Sequence, residues 1–376
     1  MQDKVDAATY FGGRNSIDKA YPAHHPMREF LCEGKGGTTS VESYDLIIQK
    51  GGGIGAQWLA RAKEELAQIN NCSMTDVSVL SSYNGILGEM RAYADLLRFS
   101  GWKVESGGTG AKGPDFRVES CHGQRFLVEV FSYPPRPDNE IVVEPPQKTY
   151  FKNVRGEMCS MVSSISVADP FGFPDLLKAG DSTTANAISK ICARKGSEYQ
   201  ISDQDVSILY FDMQSLSISW SMLEQMAPIL SANEAYTSGA LWMAHYGEKG
   251  YPIFENASTR DFRAPKCVTM GHDGRFQGSK KSKLNAVIIS VGYNPRDSSA
   301  KRLGLLENMR RPLPDLLRGE LLSSGLFDGN SRCLPAIELK QRLEEDRYKI
   351  YYAATQILGA DSVANLGATL HIGTDN

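Results

Sequence analysis

Apolar and polar positions alternate with three different rhythms along this chain. Residues 1–54 are rich in glycine, polar and aromatic residues and keep no period, which predicts an irregular extension. In residues 56–69, Leu59, Ala62, Leu66 and Ile69 recur at helical spacing. The run Gly51-Gly52-Gly53-Ile54-Gly55 before them lacks both a preceding strand and a following G-K-[ST], so it reads as a helix lead-in, not a phosphate loop. A longer helix is predicted over residues 83–100, with Ile86, Met90, Tyr93, Ala94 and Leu97 on one face and Arg91, Asp95 and Arg98 opposite. Glu89 falls at the margin of that apolar stripe, and Gly101 ends the helix in the manner of a C′ glycine.

From residue 102 the period shortens to two. A short strand is predicted over 102–105, then a flexible glycine loop, then a hairpin within GPDFRVESCHGQRFLVEVFSY, residues 113–133. With a loop at 120–124, Glu119 pairs with Arg125, and the same register sets Asp115 opposite Glu129. Directly opposed residues share a face with Cβ atoms about 5 Å apart. Asp115, Arg117, Leu127, Glu129 and Phe131 thus lie on one face, while Phe116, Val118, Val128 and Val130 line the other. A charge inside an apolar strand is costly to bury, so it needs a partner, a metal or a task. Two carboxylates this close repel unless a proton or a cation lies between them, and hard divalent ions such as Mg²⁺ suit oxygen donors.

Beyond Pro134-Pro135-Arg136-Pro137 the chain is loop-rich to about residue 183. A helix follows at 185–195, burying Ile188, Ile191 and Cys192, and then a buried strand at 206–211. Further elements are a helix at 221–231, strands at 240–246 and 284–291, and helical stretches at 301–322 and 335–358. The order predicts an α/β fold with a mixed central sheet flanked by helices. Three regions follow: an N-terminal extension with one helix over 1–75, an α/β core over 76–295, and a helical C-terminal region over 296–376.

Composition narrows the function classes. A hydrophobic fraction of 41% and a charged fraction of 23% are ordinary for a globular protein, and the net charge of −3 does not announce a nucleic-acid binder. Residues 258–283 depart from this balance, with seven cations against two acids; Arg275, Lys280, Lys281 and Lys283 are its candidate phosphate contacts. Seven scattered cysteines without a C-x-x-C pair, and six histidines without zinc spacing, fit reduced thiols in a cytoplasm. His122 reads as a turn residue at the hairpin tip. The first residues lack an apolar signal region, and no run approaches the ~18 apolar residues of a membrane span, so a soluble cytoplasmic protein is expected. No G-x-S-x-G, H-E-x-x-H or P-loop is present.

Glu89 on a helix, then Gly113-Pro114-Asp115, then Val128-Glu129-Val130 on a hairpin strand resembles the PD-(D/E)XK nuclease superfamily over roughly residues 80–212. The resemblance implies a restriction-endonuclease-like core with the order helix, three strands, helix, strand. It implies an Mg²⁺-dependent (or Mn²⁺-dependent) endonuclease in which Asp115 and Glu129, with the Val130 carbonyl and Glu89, hold the metal. The implied substrate is nucleic acid, DNA before RNA, in restriction or phage defence, and a homodimer or a protein partner is compatible with it. The family's lysine should stand two residues after Glu129, where this chain has Phe131. Lys195 on the second core helix is the favoured substitute, with Lys190, Lys112 and Lys148 as other sources. The missing lysine also opens a second reading, an inactive nuclease fold that binds nucleic acid or a protein.

Overall fold

The computed structural model describes residues 38–69, 77–107, 113–133, 147–152, 158–163, 183–193, 204–215, 219–232, 235–254, 257–258, 267–278, 282–292 and 299–329. Its centre is one mixed sheet of seven strands whose spatial order follows the chain: β1 (Lys103–Ser106), β2 (Phe116–Glu119), β3 (Arg125–Ser132), β4 (Ser207–Asp212), β5 (Ala286–Ser290), β6 (Leu303–Glu307) and β7 (Phe327–Asp328). β1, β2 and β3 form an antiparallel meander. β3, β4 and β5 then run parallel, β6 turns antiparallel to β5, and β7 lies parallel to β6. Every residue of β4 and β5 is buried, as expected for central strands covered on both faces.

Strand alternation divides the interior into two layers. Ile208, Tyr210, Ala286, Ile288 and Leu305 enter one, together with α1 (Thr38–Lys50), α2 (Gly52–Ile69) and α3 (Val77–Arg98). Leu209, Phe211, Val287, Ile289 and Leu306 enter the other, with α4 (Thr183–Ala193) and α5 (Ala240–Tyr246). The mixed sheet flanked by helices that the sequence predicts is present. Among the described residues, no helix is long and apolar enough to cross a membrane.

α3 is the helix that positions the site. Its side chains from Met90 to Leu97 are all buried, so it has no solvated face along this stretch. Tyr93 lies between Trp58 of α2, with ring centroids 5.8 Å apart, and Phe116 of β2, at 5.4 Å. The charged stripe that looked solvent-facing in sequence turns inward. Arg91 Nη2 meets Asp212 Oδ2 at 2.6 Å, at the end of β4, and both side chains are buried. About one turn away, Tyr210 Oη donates to Asp95 Oδ2 at 2.6 Å, and at the other end Asn84 Nδ2 donates to the Tyr133 carbonyl at 2.9 Å. Between these ties, a Cβ on Gly88 would stand 1.5 Å from Ser132 Oγ, so only glycine lets helix and strand approach this closely.

Four other expectations are corrected. Residues 38–50 form a helix, not an irregular extension, and its Tyr44 and Ile47 join the same core as α3. Residues 240–246 form α5, not a strand; all seven are buried, which erases the polar face that would have revealed a helical period. The helix expected over 221–231 is a 3₁₀ segment, Ser219–Met226, followed by a strand, Ile229–Ala232. In place of a helix over 301–322, β6 pairs with β5, and α6 (Asp315–Ser323) begins beyond Pro312 and Pro314. The C-terminal part therefore contributes to the sheet, and the helix expected over 335–358 lies outside the described residues.

Removing one partner of a buried ion pair strands the other charge, at a cost of about 3–5 kcal/mol. Arg91→Leu is expected to lower unfolding stability in urea by that amount. The double variant Arg91→Leu/Asp212→Leu should recover much of the loss. Additive losses in the double variant would show that the two side chains do not depend on one another.

Candidate active site

The hairpin forms in the register expected from its charges. Glu119 pairs with Arg125, Val118 with Phe126, Arg117 with Leu127 and Phe116 with Val128. At Glu119 the register is reinforced by side chains, since Arg125 Nε and Lys103 Nζ each reach a Glu119 oxygen at 3.0 Å. β2 begins at Phe116, so the backbone of Asp115 stands just outside the ladder. Its side chain completes the ladder instead. Asp115 Oδ2 accepts the Val130 N–H at 2.7 Å, the donor that a longer β2 would have satisfied through its backbone. In an extended strand the N–H and C=O of one residue project to the same side, so the Val130 carbonyl faces the same edge.

Glu129 is the next residue back along β3 and is buried despite its charge. Glu89 comes from α3, carried there by the Gly88–Ser132 contact one residue earlier. Burial and, after it, the Asp115 charge push the Glu89 carboxyl up to about 8; Arg61 pulls the other way, and Glu65 and Glu129 add smaller upward pushes. Burial also raises the Asp115 carboxyl, against the Val130 N–H and the Arg61 charge. The fold thus brings Glu89, Asp115, Glu129 and Val130 within electrostatic reach of one another.

Arg61 of α2 is the residue that sequence reasoning missed. Its Nη2 meets Glu89 Oε2 at 3.1 Å, its Nη1 donates to Ser106 Oγ at 3.3 Å, and its Nε lies 3.4 Å from Glu65 Oε1. The guanidinium also lies 5.8 Å from the centre of the Trp58 ring. Trp58, Arg61 and Glu65 share one helix flank at i, i+3 and i+7, and that spacing was the one trace of the arrangement in the sequence. Nothing local pointed to Glu89, 28 positions further on.

Phe131 is committed to packing. It stacks on Phe211 of β4 at 5.3 Å and 16°, with Tyr133 edge-on at 6.3 Å. Lys112, Lys195, Lys280 and Lys281 lie outside the described residues, and Lys190 is half-buried in the last turn of α4. Arg275 is half-buried and turns towards α4, donating from Nη2 to the Ile191 carbonyl at 3.4 Å. Lys283 sits where the chain enters β5, its carbonyl accepting from Ser207 Oγ at 2.8 Å. A groove of about 420 Å³ lies along β1–β3; its Lys103, Arg117 and Arg125 are balanced by Glu105, Glu119 and Asp205, so it offers phosphate no net charge.

Among the described residues, the potential ligand atoms lying within 4.8 Å of one another belong to Cys121, His122 and Glu320, at the other end of the hairpin. The three acids stand further apart, with Arg61 among them. No family model matches this chain, and none of the curated proteins or solved structures matches it either. Fold and site together define a mixed α/β protein in which a helix carboxylate pairs with one guanidinium within electrostatic reach of two hairpin carboxylates.

The elevated Glu89 carboxyl gives the metal-free protein a defined pH response. Between about pH 4.5 and 8 the folded state keeps the Glu89 proton that the unfolded chain has released, so stability falls as pH rises through this window and levels off above it. Melting temperature measured from pH 4.5 to 9 should show this decline, and Glu89→Gln should flatten it. Parallel curves for the two proteins would contradict the burial of this carboxyl.

Proposed function

We propose that this protein is a divalent-metal-dependent nuclease of the PD-(D/E)XK type, acting on nucleic acid and on DNA in the first place. The observation that carries this reading is that Glu89 lies within electrostatic reach of Glu129 and of Asp115, which accepts the Val130 N–H. Even with Glu89 protonated, Asp115 and Glu129 against one guanidinium leave a local excess of negative charge that would favour a divalent cation. Buried oxygen donors in that number suit Mg²⁺ or Mn²⁺. Asp115 and Glu129, the Val130 carbonyl and Glu89 are the residues that would hold it. The ion would polarise a phosphate oxygen and lower the pKa of the attacking water.

The chain's own residues supply the remaining parts. Asp115 is fixed by the Val130 N–H, so its free oxygen has a set direction. Glu89 holds a proton at neutral pH, and once deprotonated it would complete the metal's shell or orient the water. Arg61 takes the role that Phe131 cannot perform: once a metal displaces it from Glu89, its guanidinium is free to pair with a phosphate. This assignment replaces Lys195 as the favoured cation, because Arg61 already touches the cluster.

The packing of Phe131 against Phe211 favours a second reading, a nuclease-like fold that binds nucleic acid or a protein without cutting. Incubation with single-stranded, double-stranded and supercoiled DNA and with RNA, plus Mg²⁺ or Mn²⁺, separates the two. Cleavage is expected, with Asp115→Ala and Glu129→Ala abolishing it and Arg61→Ala slowing it about 10²-fold or more. Arg61→Lys should retain part of the activity. Salt-sensitive binding without turnover, unaffected by Asp115→Ala, would instead support the binder. Cutting that survives Asp115→Ala would reject the acid cluster as the site.

A further inference from the structure

The hairpin that carries Asp115 and Glu129 at its base carries a different chemistry at its tip. Residues 120–124 form a tight loop closed by Ser120 N–H to the Gln124 carbonyl and Gly123 N–H to the Ser120 carbonyl, both at 2.9 Å. Gly123 adopts φ +75°, which allows Cys121 and His122 to project from the same turn. Cys121 Sγ lies 3.3 Å from His122 Nδ1, and His122 Nδ1 lies 2.5 Å from Glu320 Oε1. Glu320 comes from α6, nearly 200 residues away, and its side chain is buried while those of Cys121 and His122 are exposed.

Glu320 is held in place from behind. Trp102 Nε1 donates to its Oε2 at 2.7 Å, and Ser120 Oγ donates to its Oε1 at 2.9 Å. Such outer hydrogen bonds orient a carboxylate ligand and are a recurring feature of metal sites. Burial would raise this carboxyl, but the bonds from His122, Ser120 and Trp102 bring it below the ordinary range, so it is ready as an anion. Gly101 brings the backbone so close that a Cβ there would lie 3.0 Å from Cys121 Cβ. The cluster is therefore built by three separate segments: the end of α3 with Trp102, the hairpin tip, and α6.

We propose that Cys121, His122 and Glu320 form a site for Zn²⁺ or a similar transition-metal ion, distinct from the hard-cation cluster at the hairpin base. Bond lengths of about 2.3 Å to sulfur and 2.0–2.1 Å to nitrogen and oxygen put tetrahedral donors roughly 3.3–3.6 Å apart. The sulfur–nitrogen separation already meets that value. The shorter nitrogen–oxygen contact is that of a shared proton, which the ion replaces; the opening needed is about 1 Å, within reach of an exposed His122 side chain. The fourth position faces solvent, where water completes the shell. Bound metal ties the hairpin tip to α6 and so fixes the far end of the strands that bear Asp115 and Glu129. Binding releases the thiol proton, so affinity rises with pH.

The test is a Co²⁺ titration of the full chain, reduced and stripped of metal, followed by absorption and then by Zn²⁺ displacement. One equivalent of Co²⁺ should give thiolate charge-transfer and tetrahedral ligand-field bands, and Zn²⁺ should bleach them and raise the melting temperature. Cys121→Ser should remove the charge-transfer band without changing the melting temperature of the metal-free protein, because its side chain is exposed. His122→Gln should weaken binding about 10–100-fold, and Asp115→Ala should leave the spectrum intact, which separates this site from the acid cluster. Absence of Co²⁺ bands in the wild-type chain would overturn the proposal. So would a charge-transfer band that persists in Cys121→Ser, since another thiol would then be the ligand.

Discussion

The buried pair between Arg91 and Asp212 is the interaction on which the rest of the arrangement depends. It joins the middle of α3 to the end of β4, inside a layer made mostly of apolar side chains. A charge placed there without its partner would cost several kcal/mol, so helix and sheet have one low-energy alignment. Ser215 and Asn84 accept or share the remaining hydrogen bonds around the guanidinium, which keeps the seam satisfied. With this seam fixed and Gly88 pressed against Ser132, Glu89 has no freedom to leave the hairpin carboxylates. The pair is structural, yet its consequence is the geometry of the site.

The hairpin β2–β3 then acts as a bar with different chemistry at each end. At its base, Asp115 caps the ladder at Val130, and Glu129 is buried beside it. At its tip, Cys121 and His122 meet a carboxylate delivered from α6. The base gathers oxygen donors around a guanidinium, which suits a hard cation and a phosphate. The tip offers sulfur, nitrogen and oxygen, which suits a softer ion. Both ends rely on the same register, set by the Glu119–Arg125 pair between them.

Much of this was legible in the chain. The hairpin register followed from opposite charges at 119 and 125, and the alternation of Phe116, Val118, Val128 and Val130 identified the face that packs on the core, with Val130 only half-covered. Errors arose where burial removed the contrast that a pattern needs. α5 is buried on all sides, so its seven residues have no polar face and resemble a strand. Arg91 and Asp95 looked solvated because a single helix cannot show which charges will find a buried partner on a strand more than a hundred positions away. α1 was set aside for want of a period, although its Tyr44 and Ile47, with Trp58 and Leu59 of α2, close the core over α3.

By itself, the sequence determined the local features: the α/β order, the hairpin and its register, and the face on which its apolar residues pack. Those depend on side-chain alternation and on charges a few residues apart, which short-range geometry dictates. Only the tertiary structure decided which distant groups join them. It brought Arg61 to Glu89, turned Phe131 onto Phe211, and placed Glu320 against the Cys121–His122 turn. These contacts arise from the packing of helices on a sheet, a choice made by the whole core that no short stretch of chain encodes.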